Sequence, residues 1–240
     1  MSMRKTALVV GGLYLLTFIT SIPALFLKEP ALKHTDFILG VGSGSSVVWA
    51  GVLDLMCAAA GIGTAVAMFR VAKRYSRTSA IGFVATRTLE GAIMAVGVVS
   101  LFALVAMRDA GATGADATSL VETGKSLVSL HDWTFLLGPG TMAGLNALFL
   151  GTVMYRSRLV PRIIPTVGLI GAPLILVSAV LTGFGVYDQV STWSALATFP
   201  IALWEFSLGV WLVVKGFSAT PGTSRTTTTS DRPADRYVAA

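Results

Sequence analysis

Long apolar runs separated by short polar segments form the main pattern along this chain. Six runs reach the length of about 20 residues that an α-helix needs to cross the hydrocarbon core of a bilayer. They lie at about 7–27, 47–69, 80–107, 130–155, 164–186 and 193–217. Because helices satisfy their own backbone hydrogen bonds in lipid, the pattern predicts an all-α fold, a polytopic membrane bundle of six transmembrane helices.

The connection between the third and fourth runs predicts one further helix. From 117 to 128 its apolar residues recur on one side of a helix, while Glu122 and Lys125 occupy other positions. This spacing is typical of a short amphipathic helix lying on the membrane surface, here in the outer loop. Ser129 and Asp132 then match a capping box, so we expect the fourth span to begin at these residues.

Local sequence features refine the predictions for the fourth span and for both ends of the chain. The Gly-Pro-Gly sequence at 138–140 predicts a kink or local break within the fourth span. The first run is longer than the 7–15 residues of a secretory signal core, which predicts an uncleaved first transmembrane helix. Residues 218–240 are rich in Thr, Ser, Pro and Arg, and this composition predicts a disordered cytoplasmic tail.

The distribution of positive charge predicts how the spans are oriented. Among the 18 Lys and Arg residues, thirteen lie on the side of the two termini: Arg4, Lys5, Arg70, Lys73, Arg74, Arg77, Arg156, Arg158, Arg162, Lys215, Arg225, Arg232 and Arg236. Four fall in the opposite loops: Lys28, Lys33, Arg108 and Lys125. The positive-inside rule therefore predicts that both termini are cytoplasmic. The net charge of +6 then reflects topology and attraction to anionic lipids of the inner leaflet, rather than nucleic-acid binding.

Composition agrees with this assignment and removes several kinds of site. Only 12% of residues are charged, against about 25% in soluble domains. The single cysteine, Cys57, excludes a disulfide within the chain, and two histidines without ligand spacing disfavour a zinc or haem site. Common hydrolase, zinc-protease and P-loop motifs are absent. We therefore expect no cofactor and no metal, and the sequence provides no positive evidence for an enzyme.

Charged residues inside the predicted spans are the candidates for function. Arg87 and Glu90 are three residues apart in the third run, so they share one face of a helix. Asp54 and Glu205 lie in the second and sixth runs. The structural interpretation is that these charges neutralise one another in a network that fixes how the helices pack. The functional interpretation is a path for protons, ions or a small solute, because three acids face one base and leave two carboxylates in excess.

Three further polar residues are secondary candidates. Asn146 lies in the fourth span, and His131 and Asp132 stand where that span is expected to begin. The capping box already accounts for Asp132. His131 could act as a base at the outer surface, but adjacent side chains on a helix point about 100° apart, which disfavours a His–Asp pair.

Four motifs together resemble the bacterial domain-of-unknown-function 4386 family of integral membrane proteins. They are RTLEG at 87–91, HDWTFLLGP at 131–139, YRSRLVPR at 155–162 and WEFSLG at 204–209. The resemblance runs from Gly11 to Phe217. It implies a six-span protein of the bacterial cytoplasmic membrane, and it implies no substrate or activity.

Three hypotheses remain open at this point. The first is a transporter or channel for a small solute, ion or proton, which a cavity reaching Glu90 or Glu205 would favour. The second is a non-catalytic membrane subunit that docks a protein partner or a second copy, which a fully paired core would favour. The third is an outer-face enzyme acting on lipid, which a lateral opening beside His131 would favour.

Overall fold

A computed structural model describes residues 2–111 and 117–218 of the chain. The helices are α1 (Met3–Lys33), α2 (Gly44–Ala72), α3 (Arg77–Ala110), α4 (Ala117–Leu137), α5 (Ala143–Ser157), α6 (Ile163–Gly183) and α7 (Thr192–Val214). A 3₁₀-helix at Thr35–Leu39 follows α1, and a π-helical turn at Gly138–Met142 joins α4 to α5. These described residues contain no strand, and the predicted tail lies outside them except for Ser218.

The described residues contain six helical segments that are long and apolar enough to cross a membrane, with α4 and α5 counted as one. The predicted all-α fold with six membrane-spanning helices is therefore confirmed at this level. The first helix extends beyond the predicted span and includes Pro23 and Pro30 without ending at either.

The spans form a ring in chain order. The first three helices pack in succession, α3 also packs against α4 and α5, and the ring continues through α6 and α7 back to α1. A close contact between Gly11 and Gly209 closes it, where a Cβ on Gly11 would lie only 2.7 Å from the Gly209 carbonyl oxygen. Successive spans run in opposite directions. Because the spans form a ring, each of them has one side that faces its interior.

The two ends of the ring differ in charge. The end where α1 begins and α7 ends carries Arg4, Lys5, Arg70, Lys73, Arg74, Arg77, Arg156, Arg158, Arg162 and Lys215, and we call it the basic end. The opposite end, which includes the 3₁₀-helix, is the far end. Location of the basic end in the cytoplasm stays a prediction.

The apolar core is concentrated in the half of the ring next to the basic end. Its largest fully buried side chains are those of Tyr14, Met68, Phe83, Met154 and Trp204. A smaller cluster at the far end contains Phe37, Ile38, Val47, Leu101 and Leu104. Between the two clusters the ring interior is not filled by apolar side chains.

Helix α4 differs from the sequence expectation. It is continuous from Ala117, so Ser129 and Asp132 lie inside the helix and do not cap it. The apolar side predicted for a surface helix packs instead against the far-end cluster, with Gly124 close to Ile38. This contact extends the helix through the predicted start of the span, because the protein itself covers the apolar side. Its position relative to the membrane surface stays a prediction.

The Gly-Pro-Gly sequence interrupts the fourth span as a π-helical turn. Pro139 has no N–H to donate, so the regular i to i−4 pattern cannot continue through it. Thr141 Oγ1 donates to the Leu136 carbonyl, 2.8 Å away, across five residues. Gly138 is buried against Ile93 of α3. The turn therefore lets the span pack closely on α3 between His131 and Asn146.

Candidate functional site

A cavity of about 290 Å³ lies inside the ring, between the two apolar clusters. All six spans contribute side chains to its lining, and most of these side chains are apolar. The charged members are Lys28, Asp54, Arg87, Glu90 and Glu205, and His131 also lines it. These groups form two separate ionic contacts.

The first contact, which we call the inner cluster, consists of Arg87, Glu90, Asn146 and Glu205. Arg87 Nη1 lies 3.0 Å from Glu90 Oε2, as the spacing of three residues on one helix permits. Arg87 Nη2 pairs with Glu205 Oε1 of α7. Asn146 Nδ2 donates to Glu90 Oε2 at 2.7 Å. The inner cluster therefore joins α3, α5 and α7 around one guanidinium group.

Arg87 forms the floor of the cavity. Its Cζ lies 5.5 Å from the centre of the Tyr14 ring and 5.9 Å from that of Phe83, both members of the apolar core. The residue is only 5% exposed, and its Nε has no hydrogen-bond partner among the described residues. Beyond the guanidinium, the core closes the ring toward the basic end.

Glu205 is the more exposed carboxylate of the inner cluster, and one of its oxygens, like Oε1 of Glu90, accepts no hydrogen bond from the described residues. It is half-buried and lines the cavity. Within the described residues, its one hydrogen bond is the one that its Oε1 accepts from Arg87. An ionised carboxylate can accept bonds at both oxygens, so Oε2 has spare capacity.

The second contact, which we call the outer pair, joins Lys28 of α1 to Asp54 of α2. Lys28 Nζ lies 2.6 Å from Asp54 Oδ2, and the two side chains are 4% and 10% exposed. Gly61, seven residues after Asp54, packs beside Arg87. At 1.5 Å per residue, the outer pair therefore lies about 10 Å from the inner cluster along α2.

Sequence reasoning missed Lys28, because it ended the first span before that residue and left the lysine in a loop. Asp54 accordingly does not join the inner cluster. One signal was available: Lys28 and Asp54 have opposite charges on consecutive spans, at similar distances from the connecting loop. A lysine near a helix end can also extend its long aliphatic stem toward a partner.

His131 of α4 lies near the outer pair. Its ring stacks on Phe135, with 6.3 Å between centroids, and Lys28 Nζ lies 5.4 Å from the centre of that Phe135 ring. His131 is 5% exposed, and its Nδ1 lies 3.5 Å from Asp132 Oδ1 without a hydrogen bond. Asp132 itself is exposed and does not line the cavity. The two adjacent side chains thus approach more closely than the helix spacing suggested.

The charge balance of the cavity follows from these contacts. Among its described lining residues, two bases, Lys28 and Arg87, face three acids, Asp54, Glu90 and Glu205. One carboxylate is in excess, rather than the two counted from the sequence. The described part of the chain holds no group of three or more His, Cys, Asp and Glu side chains placed to bind a metal.

The cavity opens sideways in the far half of the ring. Its lining includes Ile22 and Leu25 of α1, which are 54% and 44% exposed, and the exposed Thr198 of α7. Where the structure shows α1 against α7, at Gly11–Gly209 and at Phe18–Phe206, the contacts lie closer to the basic end. We call the opening beside Ile22, Leu25 and Thr198 the portal.

Comparison with known protein families gives a match over most of the chain. A family model described as "Domain of unknown function (DUF4386)" matches residues 9–216. The matched range includes both ionic contacts, the portal and all six spans except the first residues of α1. No curated protein and no solved structure matches the chain.

Proposed function

The chain belongs to the DUF4386 family, whose description assigns no function, and we propose that it moves protons or a small cationic solute across a membrane through the central cavity. The observation that carries the proposal is a cavity that reaches Glu90 and Glu205 inside the spans and has one carboxylate in excess. That excess charge needs a proton or a cation to neutralise it, because an uncompensated buried charge is strongly unfavourable.

A purely structural role explains the outer pair better than it explains the inner cluster. Lys28 and Asp54 balance each other, which is the usual way in which charges are tolerated inside a membrane. The inner cluster places two carboxylates on one guanidinium. A second carboxylate is not needed to neutralise Arg87. Glu205 is therefore best explained as a site that binds and releases a proton or a cation.

The shape of the cavity is compatible with one state of a transport cycle. It is closed toward the basic end by Tyr14, Phe83 and Trp204, and it is open at the portal. Transport by alternating access would require a second state in which this apolar floor separates. The contact at Gly11 and Gly209 joins two spans with little side-chain volume, which makes it a candidate hinge.

The position of His131 also makes an outer-face enzyme acting on lipid a candidate, because the residue lines a cavity with a lateral opening. Nucleophilic catalysis would need a hydroxyl or thiol bonded to the imidazole. Among the described residues none is: Thr134 Oγ1 donates to the His131 carbonyl instead, at 2.7 Å. The partner-docking hypothesis does not explain the excess carboxylate, so both alternatives rank below transport.

Proton or cation flux in proteoliposomes tests the proposal. The native chain, Glu90→Gln and Glu205→Gln would be compared in vesicles that carry a pH-sensitive dye for proton flux, and in vesicles in which uptake of radiolabelled sodium, potassium or an organic ammonium ion is counted. Glu122→Gln is the matched control, because Glu122 is an exposed carboxylate that pairs with Lys125 outside the cavity. We expect flux to fall at least tenfold in one cavity variant and to be unchanged in the control. Absence of native flux for protons and for all three cations would overturn the proposal.

We also propose that the basic end faces the cytoplasm of a bacterial cell, where it would meet anionic lipids of the inner leaflet. Single-cysteine labelling tests this orientation in a Cys57→Ser background. A thiol reagent that does not cross the membrane should label Lys125→Cys in intact cells and should leave Lys73→Cys unlabelled until the cells are opened. The reverse pattern would invert the topology, and the portal would then open to the inner leaflet.

A further inference from the structure

We propose that the ligand of the central cavity is a small hydrophobic cation that enters from the lipid through the portal. This inference rests on the proposed function and names the class of solute. It depends on three features of the described residues: the apolar walls, the position of the excess negative charge, and the place where the cavity opens.

The walls select an apolar molecule. Apart from the charged groups, the lining is formed largely by apolar side chains such as Phe18, Ala58, Met94, Val98 and Ile201. A volume of about 290 Å³ lies near the lower limit for a small-molecule pocket. A strongly hydrated ion such as sodium would lose its water there and regain few oxygen ligands, whereas an alkyl or aryl group fits such walls.

The charges select a cation and orient it. The inner cluster has two carboxylates against one guanidinium, so its formal charge is −1, while the outer pair is neutral. An ammonium group is therefore attracted toward the inner cluster, where Oε2 of the more exposed Glu205 and Oε1 of Glu90 accept no hydrogen bond from the described residues. A weakly hydrated, substituted ammonium loses less on leaving water than a compact ion does.

The outer part of the cavity fits the apolar portion of such a molecule. His131 and Phe135 stack and both line the cavity, which gives an aromatic wall beside the outer pair. Lys28 lies over Phe135, and because it is already paired with Asp54, this end has no net charge that attracts a cation. The imidazole is nine-tenths or more buried, and its Nδ1 has no hydrogen-bond partner among the described residues. That side chain completes the wall, and its Nδ1 is a hydrogen-bonding position that a polar substituent on the ligand could use.

The portal selects entry from lipid. Ile22 and Leu25 lie inside the predicted first span of 7–27, about 8 and 3 Å before its end at 1.5 Å per residue. The outer surface of a spanning helix within that range faces hydrocarbon rather than water. A hydrophobic cation concentrates in the bilayer, so the portal would admit it without a separate path from the aqueous phase.

Phenyltrimethylammonium is the probe, and its neutral isostere tert-butylbenzene is the matched control ligand. Equilibrium dialysis of radiolabelled phenyltrimethylammonium against the full chain in detergent should give saturable binding. We expect tert-butylbenzene to compete at least tenfold more weakly than unlabelled cation. Equal competition by the neutral isostere, or binding that does not saturate, would overturn the inference without requiring any variant.

Variants locate the binding. Glu205→Gln should weaken binding of the cation at least tenfold, Glu205→Asp should retain most of it, and Glu122→Gln should leave it unchanged. In proteoliposomes, Leu25→Trp narrows the portal and should slow association of the probe severalfold. If Glu205→Gln folds and binds phenyltrimethylammonium as tightly as the native chain, the inference is wrong.

Failure of this inference can be distinguished from failure of the proposed function. Saturable, Glu205-dependent binding without any flux would support the ligand class and would contradict transport. Proton flux that depends on Glu205, with no binding of phenyltrimethylammonium, would support transport and would overturn the ligand class.

Discussion

The inner cluster and the outer pair are both buried ionic contacts on the wall of one cavity, and they differ in charge balance. Lys28 and Asp54 form a single pair of equal and opposite charges. Arg87 is shared between Glu90 and Glu205, and Asn146 supports Glu90 with a further hydrogen bond. A balanced pair needs nothing else, whereas an unbalanced cluster implies a proton or ligand. The outer pair is therefore suited to holding α1 and α2 together, whereas the inner cluster is suited to binding and releasing a proton or a cation.

The largest effect should come from removing the shared cation of the inner cluster. Arg87→Met leaves two buried carboxylates without a positive partner, so we expect a loss of about 5 kcal/mol in the free energy of unfolding, at the upper end for a broken buried ion pair. Reversible unfolding in mixed detergent micelles measures it. Arg87→Lys, which keeps the charge but not the fork of donors, should lose less than half as much.

A loss below about 1 kcal/mol for Arg87→Met would mean that Glu90 and Glu205 are both neutral in the native state. The inner cluster would then be a hydrogen-bonded group rather than an ionic one, and the contrast with the outer pair would disappear.

The outer pair should give a smaller effect that a second substitution reverses. Lys28→Met leaves Asp54 buried and unpaired, with an expected loss of about 3 kcal/mol. The double variant Lys28→Met with Asp54→Leu removes both charges, and its stability should return to within about 1 kcal/mol of the native value, since an apolar pair of similar volume often replaces an ion pair without cost. The same unfolding measurement applies. A double variant less stable than the single one would show that the outer pair also has a role beyond mutual neutralisation.

The fold was accessible from sequence because its signal is repeated over many residues. A run of about 20 apolar residues has few structural solutions in a membrane. Six such runs are evident from the order of apolar and polar residues along the chain. The boundaries were less accessible. Helix α1 extends beyond the predicted span to Lys33, and α4 begins at Ala117, because packing at the far end extends both helices past the apolar runs.

The cavity was accessible only in part, since it depends on contacts between distant residues. The spacing of Arg87 and Glu90 fixes a shared face within one helix. That Glu205 approaches the same guanidinium, and that Asp54 approaches Lys28 instead, follows from the order of the helices around the ring. Neither the ring order nor the portal is encoded in any local pattern, so the sequence alone does not show them.

The seam between α1 and α7 ranks third in expected effect and tests the closure of the ring beneath the cavity. A Cβ at Gly11 would lie 2.7 Å from the Gly209 oxygen and 2.9 Å from Val213 Cγ2, so Gly11→Val forces the two helices apart. Overpacking of this kind costs about 1–3 kcal/mol. Gly12→Val is the matched control, because a Cβ at Gly12 meets nothing within 4 Å. Equal stability of the two variants would show that the seam yields easily, as a hinge would.

The smallest effect on stability should belong to Glu205→Gln, and this is the variant that sharpens the comparison most. The amide oxygen can still accept a hydrogen bond from Arg87, and the formal charge of the inner cluster changes from −1 to 0. We therefore expect stability to change by less than about 1 kcal/mol, because a buried hydrogen bond is kept and an excess charge is removed.

Unfolding in mixed micelles measures the stability, and the flux assay measures the function on the same preparation. A variant that is as stable as the native chain but shows no flux would assign Glu205 to binding the transported proton or cation rather than to helix packing. A loss of several kcal/mol would instead place the inner cluster in the same structural class as the outer pair.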